Sequence, residues 1–219
     1  MQANAHALAA RPDYRPRTPE TGDRDELNLI GVARSYGRDQ QIYGEGESAD
    51  FVYKVVSGAV RAVRGLADGR RQMETFYLPG DVFGVEPGAT RRASAEALAG
   101  TTLIVARRSA LAGDPDQAAT LWRHALRELQ RSQDHVLTLG RRSASERLAR
   151  FLLDLADRMD IPVELDLPMS RQDIADYLGL TIETVSRTMT QLQGQGLIAL
   201  SGCRRVRLVR PAALAELCE

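Results

Sequence analysis

The chain has 219 residues, 29 basic against 29 acidic side chains and 43% hydrophobic residues, the profile of an ordinary folded protein with room for one or two sizeable cores. Two cysteines, Cys203 and Cys218, exclude a framework of several disulfides and any four-cysteine cluster within one chain, and they fit a reducing compartment. The apolar runs fall far short of about 18 residues, and no basic segment followed by a continuous apolar core opens the chain, so a soluble, cytoplasmic protein without membrane contact is expected. A formal net charge of zero does not announce nucleic acid, but Lys54 is the only lysine, and the arginines must be examined as local clusters.

Residues 1 to 26 carry Pro12, Pro16 and Pro19 among charges and alanines without an apolar period, which predicts a flexible N-terminal arm. From 27 to 113 the chain becomes short apolar runs punctuated by glycine. Phe51 to Val56, Ala59 to Val63, Glu74 to Leu78 and Leu103 to Ala106 read as strands, and Asp68-Gly69 reads as a hairpin turn. Gly44, Gly46, Gly58, Gly80 and Gly84 mark further turns. Frequent turns between short strands predict a small antiparallel barrel or sandwich. A metal-dependent barrel enzyme would need clustered histidines and carboxylates, yet this segment has no histidine: His6 lies in the arm, and His124 and His135 come later. With no nucleophile motif and no phosphate-binding P-loop either, an enzyme is not expected.

Asp114-Pro115-Asp116 opens a helix over 114 to 142 in which Ala118, Trp122, Ala125, Leu129, Ser132, Val136 and Leu139 alternate at spacings of four and three. That is the seam of a paired helix, so Trp122, Ala125, Leu129, Ser132, Val136 and Leu139 are expected at a dimer interface. The competing reading packs the helix on its own barrel. Leu121, Leu126 and Leu137, beside the seam, are placed to do either.

Ser143-Ala-Ser-Glu146 is a capping box opening an amphipathic helix with Leu148, Phe151, Leu152, Leu155 and Met159 on one side, which sets a boundary at 143. After an extended segment from Ile161 to Pro168, Ser170 and Asp173 form a second capping-box pattern ahead of Ile174, Ala175 and Leu178. Gly179 supplies a left-handed helix end, and Thr181 caps a helix beginning at Ile182. Two helices joined so tightly form a helix-turn-helix. On the second, Val185, Met189 and Leu192 face inward, while Glu183, Ser186, Arg187 and Thr190 share another face able to meet base edges in a major groove. Gly194 and Gly196 end it. Leu197 to Leu200 and Val206 to Val209 pair across Ser201 to Arg205 as a wing, with Arg204, Arg205, Arg207 and Arg210 crowded on it. Ser170, Thr181, Thr184, Thr190, Arg204 and Arg205 are the expected phosphate contacts. Cys203, in the wing turn among arginines, is a candidate for oxidation, against the plainer reading of a small turn residue.

Barrel, long helix and winged helix-turn-helix, in that order, resemble the CRP/FNR superfamily of transcription regulators. The stretches from Gly44 to Gly58 and Leu78-Pro-Gly-Asp-Val-Phe-Gly84 are similar to its barrel signatures, and Leu180 to Arg187 to its recognition helix. The resemblance implies an α+β protein: an N-terminal antiparallel β-barrel or jelly roll like a cyclic-nucleotide-binding domain, a dimerisation helix and a C-terminal winged helix-turn-helix. The spacing of Glu183, Ser186 and Arg187 is similar to the FNR branch, whose three residues read a palindrome close to TTGAT-N4-ATCAA. Ile182 stands where the CRP branch has an arginine, and its apolar tip could meet a thymine methyl. FNR's cluster-binding cysteines have no counterpart near this N-terminus. Nucleotide-binding members carry Glu where this chain has Val85, and an Arg-Ser pair where it has Arg92-Ala93, although Ser132 falls near the family's adenine-contacting position. The pattern is most similar to FixK-type regulators, implying double-stranded DNA, a second copy of the chain and RNA polymerase as partners, with no cofactor. The alternative is a CRP-type regulator whose DNA binding depends on a small molecule in the barrel.

Overall fold

A computed structural model describes residues 29–66, 69, 71–141, 143–160 and 163–218. The expected arm, Asp68 of the expected hairpin and residues 161 and 162 lie outside them. The N-terminal half contains β1 (Val32–Tyr36), β2 (Gln41–Tyr43), β3 (Phe51–Ser57), β4 (Val60–Gly65), β5 (Arg71–Tyr77), β6 (Val82–Phe83), β7 (Ser94–Ala97) and β8 (Thr101–Arg107). They form two four-stranded antiparallel sheets in the orders β1-β8-β3-β6 and β2-β7-β4-β5. The four predicted strands are β3, β4, β5 and β8. The other four escaped prediction for physical reasons: β2 and β6 are three and two residues long, β7 is Ser-Ala-Glu-Ala, and β1 is an edge strand largely exposed on both faces. Gly58 closes the β3–β4 turn at φ 83°, where a Cβ would lie 2.6 Å from the Gly100 carbonyl oxygen.

Between the sheets, Tyr43, Tyr53, Tyr77 and Phe83 form an aromatic cluster, with Tyr77 and Phe83 stacked at 4.7 Å. A short α1 (Arg108–Ala112), which the sequence did not announce, leads into α2 (Pro115–Arg141). Leu121 of α2 packs with Leu29, Val52, Val82, Ala106 and Leu111, so this leucine serves the barrel rather than a seam.

The C-terminal half comprises α3 (Ala144–Met159), β9 (Glu164–Asp166), α4 (Arg171–Leu178), α5 (Ile182–Gly194), β10 (Ile198–Ser201), β11 (Arg205–Leu208) and α6 (Pro211–Glu216). Ser143 and Glu146 make the expected reciprocal cap of α3. The wing has a third strand, since β11 lies between β10 and β9.

The two halves are not separate cores. Ala59, Val63, Met73, Phe76, Leu78 and Leu98 of the β-half join one apolar cluster with Phe151, Leu152, Ile174, Val185 and Met189 of the helical half. Phe76 lies 5.1 Å from Tyr177 and 6.2 Å from Phe151, ring centre to ring centre. Polar contacts run beside it. Arg158 of α3 donates to the Phe76 carbonyl at 2.6 Å and to Asp81 Oδ2 at 2.8 Å, and Arg131 of α2 donates to Asp81 Oδ1 at 2.9 Å. Burial alone would raise the Asp81 pKa, but Arg158 and Arg131 overcome it and hold the carboxyl below its ordinary value. Barrel, long helix and α3 of the helical half thus meet at one carboxylate.

Candidate nucleic-acid interface

Every local signal of the helix-turn-helix has its structural counterpart. Ser170 accepts from the Asp173 backbone N–H at 3.1 Å, and the Asp173 carboxylate accepts from the Ser170 N–H at 2.9 Å and its hydroxyl at 2.6 Å. Caps of this kind stabilise a helix by about 1 kcal/mol. Gly179 ends α4 at φ 62° and ψ 40°, and its N–H and that of Leu180 both donate to the Ala175 carbonyl. Thr181 then caps α5 through the Thr184 N–H at 3.2 Å. Ile174, Ala175 and Leu178 face Val185, Met189 and Leu192 across the turn, and all six are buried.

That packing turns the opposite face of α5 outward. Glu183, Arg187 and Thr190 are exposed, Ile182 is exposed at the helix start and Ser186 is half-buried among them. The Glu183 carboxyl is held below its ordinary pKa by its own backbone N–H, then by the Thr181 hydroxyl, with a further contribution from Arg187. It therefore stands ionised at neutral pH, an acceptor for a base amino group. The hydroxyls among the predicted phosphate contacts are engaged within the protein: Ser170 donates to Asp173, Thr190 to the Ser186 carbonyl at 3.1 Å, and Thr181 and Thr184 lie 3.1 Å from each other.

On the wing, Gly202 takes φ 69° in the tight turn between β10 and β11. Arg205 and Arg207 are exposed and Arg204 is half-buried. Arg210 departs from the expected basic cluster: its guanidinium turns back to the Gln195 and Gly196 carbonyls, where it closes the end of α5. Cys203 is exposed and Cys218 buried, both as free thiols. Along α2, Trp122 is 64% and Val136 66% exposed, and Leu126, Leu129 and Leu137 are exposed as well. Ala125 and Leu139 are half-buried, and Ser132 and Ala118 are exposed.

A cavity of about 530 Å³ opens where the barrel, α2, α3 and α4 converge. On its barrel side Glu86, only 9% exposed, accepts from Arg92 Nε at 3.0 Å. Arg91, which no local pattern singled out, is buried with its guanidinium 4.1 Å from the Tyr43 ring centre and donates to the Gly84 and Phe51 carbonyls, both at 2.6 Å. Among the described residues there is no group of three or more metal-ligating side chains, and no helix is long and apolar enough to cross a membrane.

Residues 146–217 match the Crp-like helix-turn-helix domain and residues 33–113 the cyclic nucleotide-binding domain. The nitrogen fixation regulation protein FixK of Azorhizobium caulinodans is 49% identical over 197 residues, which cover 86% of this chain and 79% of that protein. The chain belongs to the CRP/FNR superfamily, in its FixK-type branch. FixK of Rhizobium meliloti is 46% identical, with 85% of this chain and 87% of that protein covered. The solved structure of FixK2 from Bradyrhizobium japonicum superposes with a TM-score of 0.83 at 47% identity, covering 87% of this chain and 98% of that one. The FixK and FNR-type relatives are DNA-binding transcriptional activators and not enzymes, which bears out the sequence reading of a FixK-type activator that is not an enzyme.

Proposed function

We propose that this chain is a homodimeric, cytoplasmic activator that reads a palindrome close to TTGAT-N4-ATCAA and acts through RNA polymerase. Three segments divide the work: a sensor-like barrel from 27 to 113, a dimerisation helix from 114 to 142 and a DNA-binding unit from 143 to 219. The observation that carries the reading is the outward face of α5, where Glu183, Ser186 and Arg187 stand together on a helix whose opposite face is buried. Glu183 accepts from a base amino group, Arg187 donates to guanine, and Ile182 meets a thymine methyl. Arg204 and Arg205 on the wing take phosphates, and the hydroxyls of Ser170, Thr181, Thr184 and Thr190 donate to phosphate oxygens by turning from their partners within the protein. Trp122, Ala125, Leu129, Ser132, Val136 and Leu139 meet their counterparts in a second copy, whose reading helix enters the next major groove about 34 to 36 Å away.

DNA binding in this reading needs neither a cyclic nucleotide nor an iron–sulfur cluster. The barrel residues do not fit the nucleotide. Val85 offers no carboxylate to a ribose, Ala93 offers no hydroxyl, and the Nε of Arg92 is engaged by Glu86, whose charge opposes a phosphate. A four-cysteine cluster finds only two cysteines in the chain. The deciding experiment is selection of bound sequences from a random duplex pool by purified protein without added nucleotide. Enrichment of an FNR-like palindrome is the expected result. Binding that emerges only after a small molecule is added would favour the alternative, to which the cavity between barrel and α2 lends support.

A further inference from the structure

Arg61 projects from β4, in the sheet that faces the helical half. Its side chain is 11% exposed and meets carboxylates from three parts of the chain: Glu96 Oε2 at 2.7 Å, Asp173 Oδ1 at 3.0 Å and Asp39 Oδ1 at 3.4 Å. Asp173 is 4% exposed and divides its two oxygens between two tasks. Oδ2 closes the cap of α4, and Oδ1 takes the guanidinium of the barrel. The first residues of the helix-turn-helix are therefore bonded to a strand 112 positions earlier in the sequence.

Two further contacts lie on the same face of α4, three and four residues on. Asp176 approaches Arg71 at 3.9 Å, and Tyr177 packs on Phe76 at 5.1 Å between ring centres. Three contacts within one turn of helix restrain rotation about its axis as well as translation. The tight Gly179–Thr181 turn and the buried packing between α4 and α5 pass that orientation to the reading helix.

We propose that Arg61 is a positioning residue for DNA reading: acting through Asp173, it fixes α4 and hence α5 against the barrel, and so sets the half-site spacing that the dimer accepts. This rests on the palindrome-reading dimer proposed above. The lever is sensitive. A helix of 13 residues is about 20 Å long, so a tilt of roughly 10° at its base moves its far end by about 3.4 Å, one base-pair step. Loss of the Arg61 contact therefore blurs spacing before it abolishes base reading.

The test uses full-length protein and duplexes carrying the selected palindrome with its spacer at native length and one or two base pairs shorter or longer. Kd is measured for the wild type, Arg61→Ala, Arg61→Lys and Arg71→Ala, with Tm recorded for each. The wild type is expected to prefer native spacing at least tenfold over either neighbour. Arg61→Ala should narrow this preference to under threefold, Arg61→Lys should recover most of it, and Arg71→Ala should narrow it by a smaller factor. A preference unchanged in Arg61→Ala, whatever its Tm, overturns the proposal. If that variant does not fold, Arg71→Ala decides, and a wild-type spacing profile in that protein overturns the proposal. A wild type indifferent to spacing would remove the palindrome reading itself, a failure visible without any variant.

Discussion

The imidazole of His135, on α2, stacks on the phenol ring of Tyr177, on α4, with ring centres 4.0 Å apart and planes 11° from parallel. Burial lowers the His135 pKa below its ordinary 6.5, more than the Tyr177 backbone and Asp154 raise it, while Tyr177 is pushed up to about 12, chiefly by burial. The folded protein thus holds a neutral histidine at the junction of long helix and reading head. Because the folded value lies below the unfolded one, the stabilisation is complete above about pH 6.5 and is lost as pH falls through the folded pKa. The Tm difference between wild type and His135→Phe should shrink as pH is lowered from 7.5 to 5. A difference constant across that range would show that His135 does not titrate with folding.

Asp81 supplies a second prediction from the same junction. Its side chain is 12% exposed and that of Arg158 16%, so removing the carboxylate leaves a nearly buried guanidinium without its main partner. Breaking such a pair costs about 3 kcal/mol, and Asp81→Ala should lower the free energy of urea unfolding by roughly that amount. The depressed Asp81 pKa also fixes a sign: its stabilisation is present above the ordinary carboxylate range near pH 4 and disappears as pH falls through the lower folded value. Acid unfolding of Asp81→Ala should accordingly show a weaker pH dependence below pH 4 than that of the wild type.

What the sequence disclosed, and what it concealed, divides by distance along the chain. Both capping boxes, the left-handed Gly179, the Thr181 cap and the inward faces of α4 and α5 were legible because each is decided by residues within about one helical turn. The link from Arg158 to Asp81 spans 77 residues and that from Arg61 to Asp173 spans 112, and no periodicity encodes either. Arg91 was illegible for a related reason: a buried arginine looks like any surface arginine until Tyr43, Tyr53 and the Phe51 carbonyl fold around it. The reverse error concerns Arg210, where a local cluster of like residues concealed a backbone-capping task at the end of α5.

The exposed stripe on α2 leads to a third prediction. Leu129 and Val136 are large apolar side chains exposed in the single chain, and in the proposed dimer a second copy of the helix covers them. Leu129→Glu or Val136→Glu should shift sedimentation at micromolar concentration from dimer to monomer. Affinity for a palindromic duplex should then fall by about 10² to 10⁴, because the second half-site no longer binds intramolecularly. A variant that remained dimeric with full affinity would move the interface away from this stripe.

On α5, Glu183 and Arg187 should govern choice among bases rather than affinity for DNA at large. Replacing either with alanine is expected to cost roughly 1 to 3 kcal/mol per half-site on the selected palindrome and to flatten the preference at one base position. Affinity for random duplex should change little. Equal losses on both kinds of DNA would place these side chains on the phosphate backbone instead.

The wing should show the opposite signature. Arg205 is exposed beside the half-buried Arg204 in the wing turn, and if each copy of Arg205 neutralises one phosphate, the dimer loses two contacts in Arg205→Ala. Each contact adds about 0.9 to the steepness of log K against log salt concentration, so that variant should reduce the slope by roughly 1.8. The loss of affinity should be similar on cognate and random duplexes, because phosphates carry no sequence information directly. Titrations of wild type and variant between about 50 and 200 mM salt span the range in which such contacts are resolved. An unchanged slope would assign the exposed guanidinium of Arg205 to solvent, and the phosphate grip would then have to come from other cations of the head.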